Sequence, residues 1–219
     1  RYVLWIQTLT MFIGDVPTSV SEPIKARLLN SPYWPWYMIT ETTGYDPKFN
    51  DSIPDEMSGE DPQFQHTVVN NHGEIASQHA WDIVVEPLWK YIQENYDAEL
   101  GDFEKFRRIK INLLTKKESK HLYHTPHVDY DFPHTTLLYY VNDSDGPTFF
   151  FNEKYDGSRK KLTLKEKIEP RQGRFIIFDG HTFHASSNPQ YNDYRCIINL
   201  NYISSSSGNL SGILNEIKV

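Results

Sequence analysis

The motif His127-Val128-Asp129 and the later His184 supply two imidazoles and one carboxylate, a set that can hold a divalent metal ion. In an extended segment alternate side chains share one face, so His127 and Asp129 can reach the same ion while Val128 points away. His184 can return beside them on a later strand, because antiparallel pairing needs no helical crossover. Three protein ligands leave part of an octahedral coordination sphere open, so the motif predicts a metal site at which other molecules bind.

Arg195 lies eleven residues after His184 and is a candidate for binding a carboxylate, because a guanidinium presents a planar pair of donors. Two alternatives stay open from the residues alone. His181 competes with His184 as the distal ligand, and Arg195 could instead pair with an acidic side chain on the protein exterior. The other histidines near the motif are expected in supporting or surface positions: His121, His124 and His134. For His134 a contact with substrate stays open.

The chain has 219 residues, 38% of them hydrophobic, which suits one domain with a large core. Its net charge of −7 and pI near 5.7 argue against charge-driven binding to nucleic acid or to an anionic membrane. A single cysteine, Cys196, excludes an internal disulfide and a thiolate metal cluster, which fits a reducing compartment. No apolar run approaches the roughly 20 residues of a membrane span, so we expect a cytoplasmic protein.

From residue 106 onward the chain is rich in short β-type runs separated by turn signals such as Asn142-Asp143-Ser144-Asp145-Gly146. Many short strands without helical periodicity between them predict a barrel or jelly roll. The predicted strands cover residues 108–114, 135–142, 147–152, 161–164, 174–179 and 194–203.

The earlier part of the chain has a different pattern. Residues 75–96 carry apolar residues at helical spacing, and Pro87 is expected to kink this helix or to begin a second one. Residues 31–39 predict an edge strand because their prolines cannot donate to a ladder, and residues 21–29 predict a short helix. Residues 42–71 are rich in Gly, Pro, Asp, Asn and Ser, which predicts a long functional loop.

We therefore expect a single domain in three parts. Residues 1–105 form a helical and irregular support with the loop, residues 106–203 form the β core, and residues 204–219 form a tail.

The motifs resemble those of the 2-oxoglutarate/Fe(II)-dependent oxygenases, most closely the prolyl-4-hydroxylase-like branch. The resemblance covers roughly residues 106–203 and implies a mainly β, α+β protein: a double-stranded β-helix (jelly-roll) barrel with helices packed outside. The matching elements occur in the family's order: His127-Val128-Asp129, Tyr139-Tyr140-Val141-Asn142, Gly146, Glu169-Pro170, Gly173-Arg174-Phe175-Ile176-Ile177-Phe178-Asp179, His184 and Arg195.

Position by position, the resemblance implies that His127, Asp129 and His184 are the catalytic iron ligands. It implies that Arg195 binds the distal carboxylate of 2-oxoglutarate. Tyr140 matches a tyrosine whose hydroxyl assists that arginine.

Leu114 departs from the family pattern, which offers a tyrosine to the cosubstrate near this position. Asn112 or Lys110 lies on the same face of the strand by parity and is the candidate replacement.

The resemblance implies Fe(II), 2-oxoglutarate and O2 as cofactor and cosubstrates, and admits ascorbate as an accessory reductant. The implied reaction hydroxylates an unactivated C–H bond of a prolyl or other peptidyl or amino-acid side chain and releases succinate and CO2. Its partner is thus a peptide or small-molecule substrate. A cupin-like metal- or ligand-binding module without turnover stays open, although it has no need of Arg195. A nucleic-acid demethylase is the other alternative, but demethylases pair this arginine with a second one six residues later, where this chain has Asn201.

Overall fold

The protein is described by a computed structural model that covers residues 11–43, 58–118, 120–158 and 161–204. Its strands are β1 (Phe12–Asp15), β2 (Tyr37–Ile39), β3 (Ser58–Gly59), β4 (Gln63–Val69), β5 (Phe103–Thr115), β6 (Tyr123–His124), β7 (Thr135–Tyr140), β8 (Thr148–Lys154), β9 (Leu164–Ile168), β10 (Arg174–Asp179), β11 (Thr182–Ala185) and β12 (Tyr194–Ser204). Its helices are α1 (Thr18–Leu29), α2 (Gln78–Ala80), a π-helical turn (Trp81–Val85), α3 (Glu86–Asn95) and α4 (Asp97–Leu100).

Two antiparallel sheets form the body of the protein. The larger has seven strands in the order β1-β10-β7-β12-β5-β4-β2, and the smaller has three in the order β11-β8-β9. Side chains of both sheets meet in one apolar layer, in which Tyr140 and Ile197 of the large sheet pack with Phe150 of the small one. This two-sheet arrangement is the predicted mainly β class, with helices at the side.

Alternation along the central strands separates a packed face of the large sheet from a polar one. On β12, Cys196, Ile198 and Leu200 point outward into an apolar cluster that also contains residues of α1 and α3. Arg195 and Asn199, by the same alternation, point inward to a cavity between the sheets.

Strand β5 repeats this division next to β12. Ile109 and Ile111 are fully buried in the outer cluster, whereas Arg108, Lys110 and Asn112 line the cavity. Consequently one strand presents three polar side chains in a row to the interior.

The helical prediction for residues 75–96 is confirmed, with helix from Gln78 to Asn95. Pro87 stands in the first turn of α3, directly after the π-helical turn. Because proline has no N–H to donate, the ladder is interrupted here, and the second helix begins as expected.

Two predictions about the chain path are wrong. The expected loop over residues 42–71 contains β4, which was missed because its inward side chains Gln63 and Gln65 are polar and hide the alternation typical of a strand. The strand expected at 161–164 lies instead at Leu164–Ile168, where it pairs with β8.

Strand β4 also means that the part of the chain before residue 106 contributes to the sheet and is not only helical or irregular support. Residues 44–57 of the expected loop and residues 205–219 of the expected tail lie outside the described residues. Among the described helices, none is both long and apolar enough to cross a membrane.

Candidate metal centre and cosubstrate pocket

His127 and His184 face each other across an isolated antiparallel bridge. Each backbone N–H donates to the other residue's carbonyl oxygen at 3.0 Å. A directly opposed pair places its side chains on the same face, and the two ring centroids lie 4.6 Å apart. The choice between His181 and His184 is therefore made by strand pairing: the ring of His181 lies beside those of His134 and Tyr155 instead.

His127, Asp129 and His184 form a cluster whose possible ligand atoms all lie within 4.8 Å of one another. The Nδ1 atoms of the two histidines lie 3.1 Å from backbone carbonyls, those of Thr125 and Thr182. A carbonyl accepts only, so each Nδ1 carries the proton and each Nε2 keeps its lone pair for a metal. The donor set thus fits a divalent ion with two imidazoles and one carboxylate.

The carboxylate of Asp129 is held from several sides. Arg108 donates through Nη2 to Oδ1, and Asn201 donates through Nδ2 to Oδ2 at 2.8 Å. Asn199 Nδ2 lies at 3.3 Å from Oδ2. Because Oδ2 is also the oxygen near His184 Nε2, at 3.9 Å, one oxygen faces the histidines while the other is engaged by Arg108.

The protonation states of the cluster suit metal binding. Burial by itself raises the pKa of Asp129, but the Arg108 guanidinium and the nearby histidines hold it well below its usual range. Burial, and then the proximity of His127, lowers the pKa of His184 to about 4. At neutral pH Asp129 is therefore ionised and His184 is neutral, the forms that coordinate a metal without first losing a proton.

The cluster opens onto a cavity of about 230 Å³ between the two sheets. Its wall is mostly polar, with Leu138 and Ile197 among its apolar members. The other lining residues are Thr42, Thr43, Gln63, Gln65, Arg108, Lys110, Asn112, His127, Val128, Asp129, Thr148, His184, Ser186, Arg195 and Asn199.

Arg195 lies in this cavity, two alternations along β12 from Asn199, and is only 2% exposed. Its Nε donates to the carbonyl of Gly146 and its Nη2 to Thr148 Oγ1, both at 2.8 Å. No carboxylate pairs with Arg195 among the described residues, so the alternative of an ion pair on the protein exterior is wrong. Burial lowers the pKa of this guanidinium, because desolvation disfavours its charged form.

Tyr140 is fully buried, and its hydroxyl donates to Thr148 Oγ1 at 2.7 Å. Thr148 lines the cavity and also accepts from Arg195, so it links the two residues that the sequence pairs. Tyr140 is therefore one hydrogen bond removed from the cavity, and its role toward a cosubstrate stays a prediction.

Asn112 lines the cavity, and its buried Oδ1 has no hydrogen-bond partner among the described residues. Leu114 lies opposite Arg195 in the strand register and is 1% exposed. No side-chain hydroxyl thus reaches the cavity from position 114. Lys110 also lines the cavity, and the role of Asn112 or Lys110 as replacement stays a prediction.

Sequence reasoning did not single out Arg108, Thr148 or Asn199. The parity argument that pointed to Lys110 and Asn112 extends by two residues to Arg108, so that signal was present. The same parity on the last strand links Asn199 to Arg195, whereas Thr148 carried no such signal, because only strand pairing brings it to the cavity.

Comparison with solved structures relates this arrangement to known proteins. A prolyl hydroxylase from Trichoplax adhaerens, in complex with a peptide fragment of the oxygen degradation domain of hypoxia inducible factor, is 15% identical, with 94% of this chain and 89% of that chain covered and a TM-score of 0.56. The non-heme alpha ketoglutarate dependent epimerase SnoN from nogalamycin biosynthesis is 13% identical, with 89% and 78% covered and a TM-score of 0.60. A 2OG-Fe(II) oxygenase family oxidoreductase from Burkholderia pseudomallei is 12% identical, with 88% and 84% covered and a TM-score of 0.55.

No protein-family model matches the chain, and no curated protein matches it. The likeness is thus carried by the path of the backbone and not by the sequence as a whole. Together with the two facing sheets, it gives this protein the double-stranded β-helix fold of the 2-oxoglutarate/Fe(II)-dependent oxygenases.

Proposed function

We propose that this protein is an Fe(II)- and 2-oxoglutarate-dependent oxygenase that hydroxylates an unactivated C–H bond and releases succinate and CO2. One observation carries the proposal. A cluster of two histidines and an aspartate lies in the same cavity as a buried arginine that has no acidic partner among the described residues. A dicarboxylate that chelates the metal at one end and pairs with the arginine at the other would account for both features.

Two groups of residues line different parts of the cavity, one for the metal and one for the distal carboxylate of the cosubstrate. His127, Asp129 and His184 would hold Fe(II), with Arg108 fixing the carboxylate that faces the histidines. Arg195 would hold the distal carboxylate of 2-oxoglutarate with the N–H groups it does not spend on Gly146 and Thr148. Bound Fe(II), with 2-oxoglutarate and O2, supplies the oxidising power, while the protein positions the reactants.

For the substrate we favour a peptidyl or amino-acid side chain, with proline as first choice. The support is the motif resemblance together with the fold shared with the peptide-bound Trichoplax adhaerens prolyl hydroxylase. The same fold also occurs in an epimerase and in the carbocyclase SnoK (TM-score 0.55), so the fold by itself does not select the reaction.

The alternatives receive less support from the site. A cupin-like module without turnover needs no cation for a cosubstrate carboxylate, so it does not account for the buried charge of Arg195. A nucleic-acid demethylase is disfavoured because Asn201, at the position of its second arginine, is committed to Asp129 at 2.8 Å. A cytoplasmic location stays a prediction, supported by the single, buried free cysteine.

The test compares His184→Ala with His181→Ala, since both remove a histidine from neighbouring positions but only His184 belongs to the cluster. The protein is loaded with Fe(II) and 2-oxoglutarate without oxygen, and the visible charge-transfer absorption of the chelate is recorded. Succinate is then measured after oxygen is admitted. We expect both signals in the wild-type protein and in His181→Ala, and neither in His184→Ala. Equal succinate formation in all three proteins contradicts the proposal.

A further inference from the structure

Lys110 is a half-buried cation in the cavity, and strand parity made it an alternative to Asn112 for contacting the cosubstrate. It lines the same cavity as the cluster, and no described residue forms a hydrogen bond or an ion pair with it. Its neighbours across the register are Thr67 on β4 and Asn199 on β12, neither of which is charged. An amine in such surroundings has lost hydration without gaining a partner.

The charges that line the cavity are unbalanced. Arg108, Lys110 and Arg195 are cationic, and Asp129 is the one carboxylate among the described lining residues. A divalent metal ion and a 2-oxoglutarate dianion add equal and opposite charges, so their binding leaves the excess unchanged. Asp129 already accepts hydrogen bonds from Arg108, Asn199 and Asn201. A bound metal ion would neutralise more of its negative charge, so Asp129 is not available to pair with Lys110.

The electrostatics of Lys110 agree with this imbalance. Burial, and then repulsion by Arg108, lowers the pKa of Lys110 to about 8, while Asp129 partly offsets both. The side chain is thus still mostly protonated at neutral pH, in a place where an additional anion is favourable.

The register places Lys110 at the metal side of the cavity. Lys110 is opposite Asn199, which contacts Asp129, whereas Arg195 is opposite Leu114. Four residues of strand, or about 13 Å, separate these two levels of β5. The distal carboxylate of the cosubstrate therefore has its cation in Arg195, and Lys110 stands beside the region that a substrate must enter.

We propose that Lys110, with Arg108 beside it, binds an oxyanion of the substrate, so that the substrate is a carboxylate- or phosphate-bearing molecule. This inference rests on the proposed oxygenase function, of which it names the substrate class. The ammonium group of a lysine is a compact point charge that attracts an oxyanion. The neighbouring amides of Gln65 and Asn112 can donate further hydrogen bonds to that oxyanion.

The first experiment measures anion binding without turnover. The protein is loaded with Zn(II) and 2-oxoglutarate and titrated by calorimetry with acetate and, separately, with inorganic phosphate, which distinguishes the two oxyanion sources. The variants are Lys110→Met, Lys110→Arg and the control Lys105→Met, which removes an exposed lysine from the same strand. We expect saturable binding of at least one anion, weakened at least tenfold in Lys110→Met, retained in Lys110→Arg and unchanged in Lys105→Met.

Absence of saturable binding in the wild-type protein, or equal binding in Lys110→Met, overturns the proposal. A tenfold loss of 2-oxoglutarate affinity in Lys110→Met also overturns it, because Lys110 then serves the cosubstrate. Failure of the oxygenase proposal gives a different result. In that case the wild-type protein loaded with Fe(II) and 2-oxoglutarate shows no charge-transfer absorption, regardless of how the Lys110 variants bind anions.

The second experiment uses turnover. Free amino acids are compared with their carboxamides, and O-phosphoserine with serine, for their ability to raise 2-oxoglutarate consumption. We expect stimulation by acids and not by their neutral counterparts, with a KM for the stimulating acid at least tenfold higher in Lys110→Met and a KM for 2-oxoglutarate that does not change. Equal stimulation by acids and neutral counterparts, or by none of the probes, contradicts an oxyanion-bearing substrate.

Discussion

Replacing Arg195 with methionine tests how the protein recognises its cosubstrate. Methionine keeps a long side chain in the buried position but removes the charge and all five N–H donors. In the structure, one N–H of Nε and one of Nη2 are used by Gly146 and Thr148, so three remain for a carboxylate. The substitution therefore leaves the distal carboxylate of 2-oxoglutarate buried without its counterion.

The magnitude follows from the cost of an unpaired buried charge. Truncating one partner of a buried, hydrogen-bonded charge pair costs about 2–5 kcal/mol. At about 1.4 kcal/mol for each factor of ten, the dissociation constant of 2-oxoglutarate rises roughly 30-fold to several thousand-fold. Arg195→Lys keeps the charge but loses the planar fork, so its effect falls between wild type and Arg195→Met.

The assay is calorimetric titration of 2-oxoglutarate into the metal-loaded protein, with metal affinity measured on the same samples. Metal affinity is the internal control, since Arg195 lies outside the ligand cluster. Far-UV circular dichroism verifies that the variant, which leaves Thr148 and the Gly146 carbonyl without a donor, retains its fold. A folded, metal-binding Arg195→Met protein with wild-type affinity for 2-oxoglutarate would refute the assignment.

Three further predictions concern the same cavity. His127→Ala or Asp129→Ala should abolish most Fe(II) binding at low micromolar metal, and survival of binding by calorimetry in both variants would contradict the ligand set. Tyr140→Phe removes one hydrogen bond to Thr148 and should weaken 2-oxoglutarate by about 1 kcal/mol, less than Arg195→Met; the reverse order in calorimetry would exchange the two roles. Lys110→Met should stabilise the metal-free protein at pH 7 by on the order of 1–2 kcal/mol, discounted for partial exposure, because folding lowers the pKa of this lysine from 10.5 to about 8. Between pH 8 and 10.5 the unfolded chain then binds more protons than the folded chain, so the wild-type protein gains stability as pH rises and the difference in urea unfolding closes only above about pH 10.5; a difference independent of pH would show that the pKa of the amine is not lowered.

Several features of this protein could be predicted from the sequence because they depend on local spacing. The side chains of His127 and Asp129 share a face through the two-residue period of an extended chain. The strand at residues 174–179 was predicted with the bounds it has, since its four central apolar residues are buried from both sides. The α3 helix begins at Glu86, one residue before Pro87, for an equally local reason, the missing N–H of proline.

Other features are decided only by contacts between distant segments. His184 and not His181 joins the cluster because His184 bridges to His127, and this pairing is not encoded in the spacing of either segment. Arg108 contacts Asp129 because β5 pairs with β12 in a register that places Arg108 opposite Asn201.

Contacts between distant segments also explain why strand β4 was not predicted and why Lys110 is an unpaired cation among the described residues. Strand β4 directs Gln63 and Gln65 toward the polar cavity. Because these inward positions are polar, the sequence of β4 lacks the alternation of apolar and polar residues by which strands are recognised. Lys110 follows the parity of its strand, but only the assembled cavity leaves it without an acidic partner among the described residues. Local sequence determined which residues could act together, whereas the pairing of strands far apart in the chain determined which of them meet, because register and neighbour choice are long-range properties of a sheet.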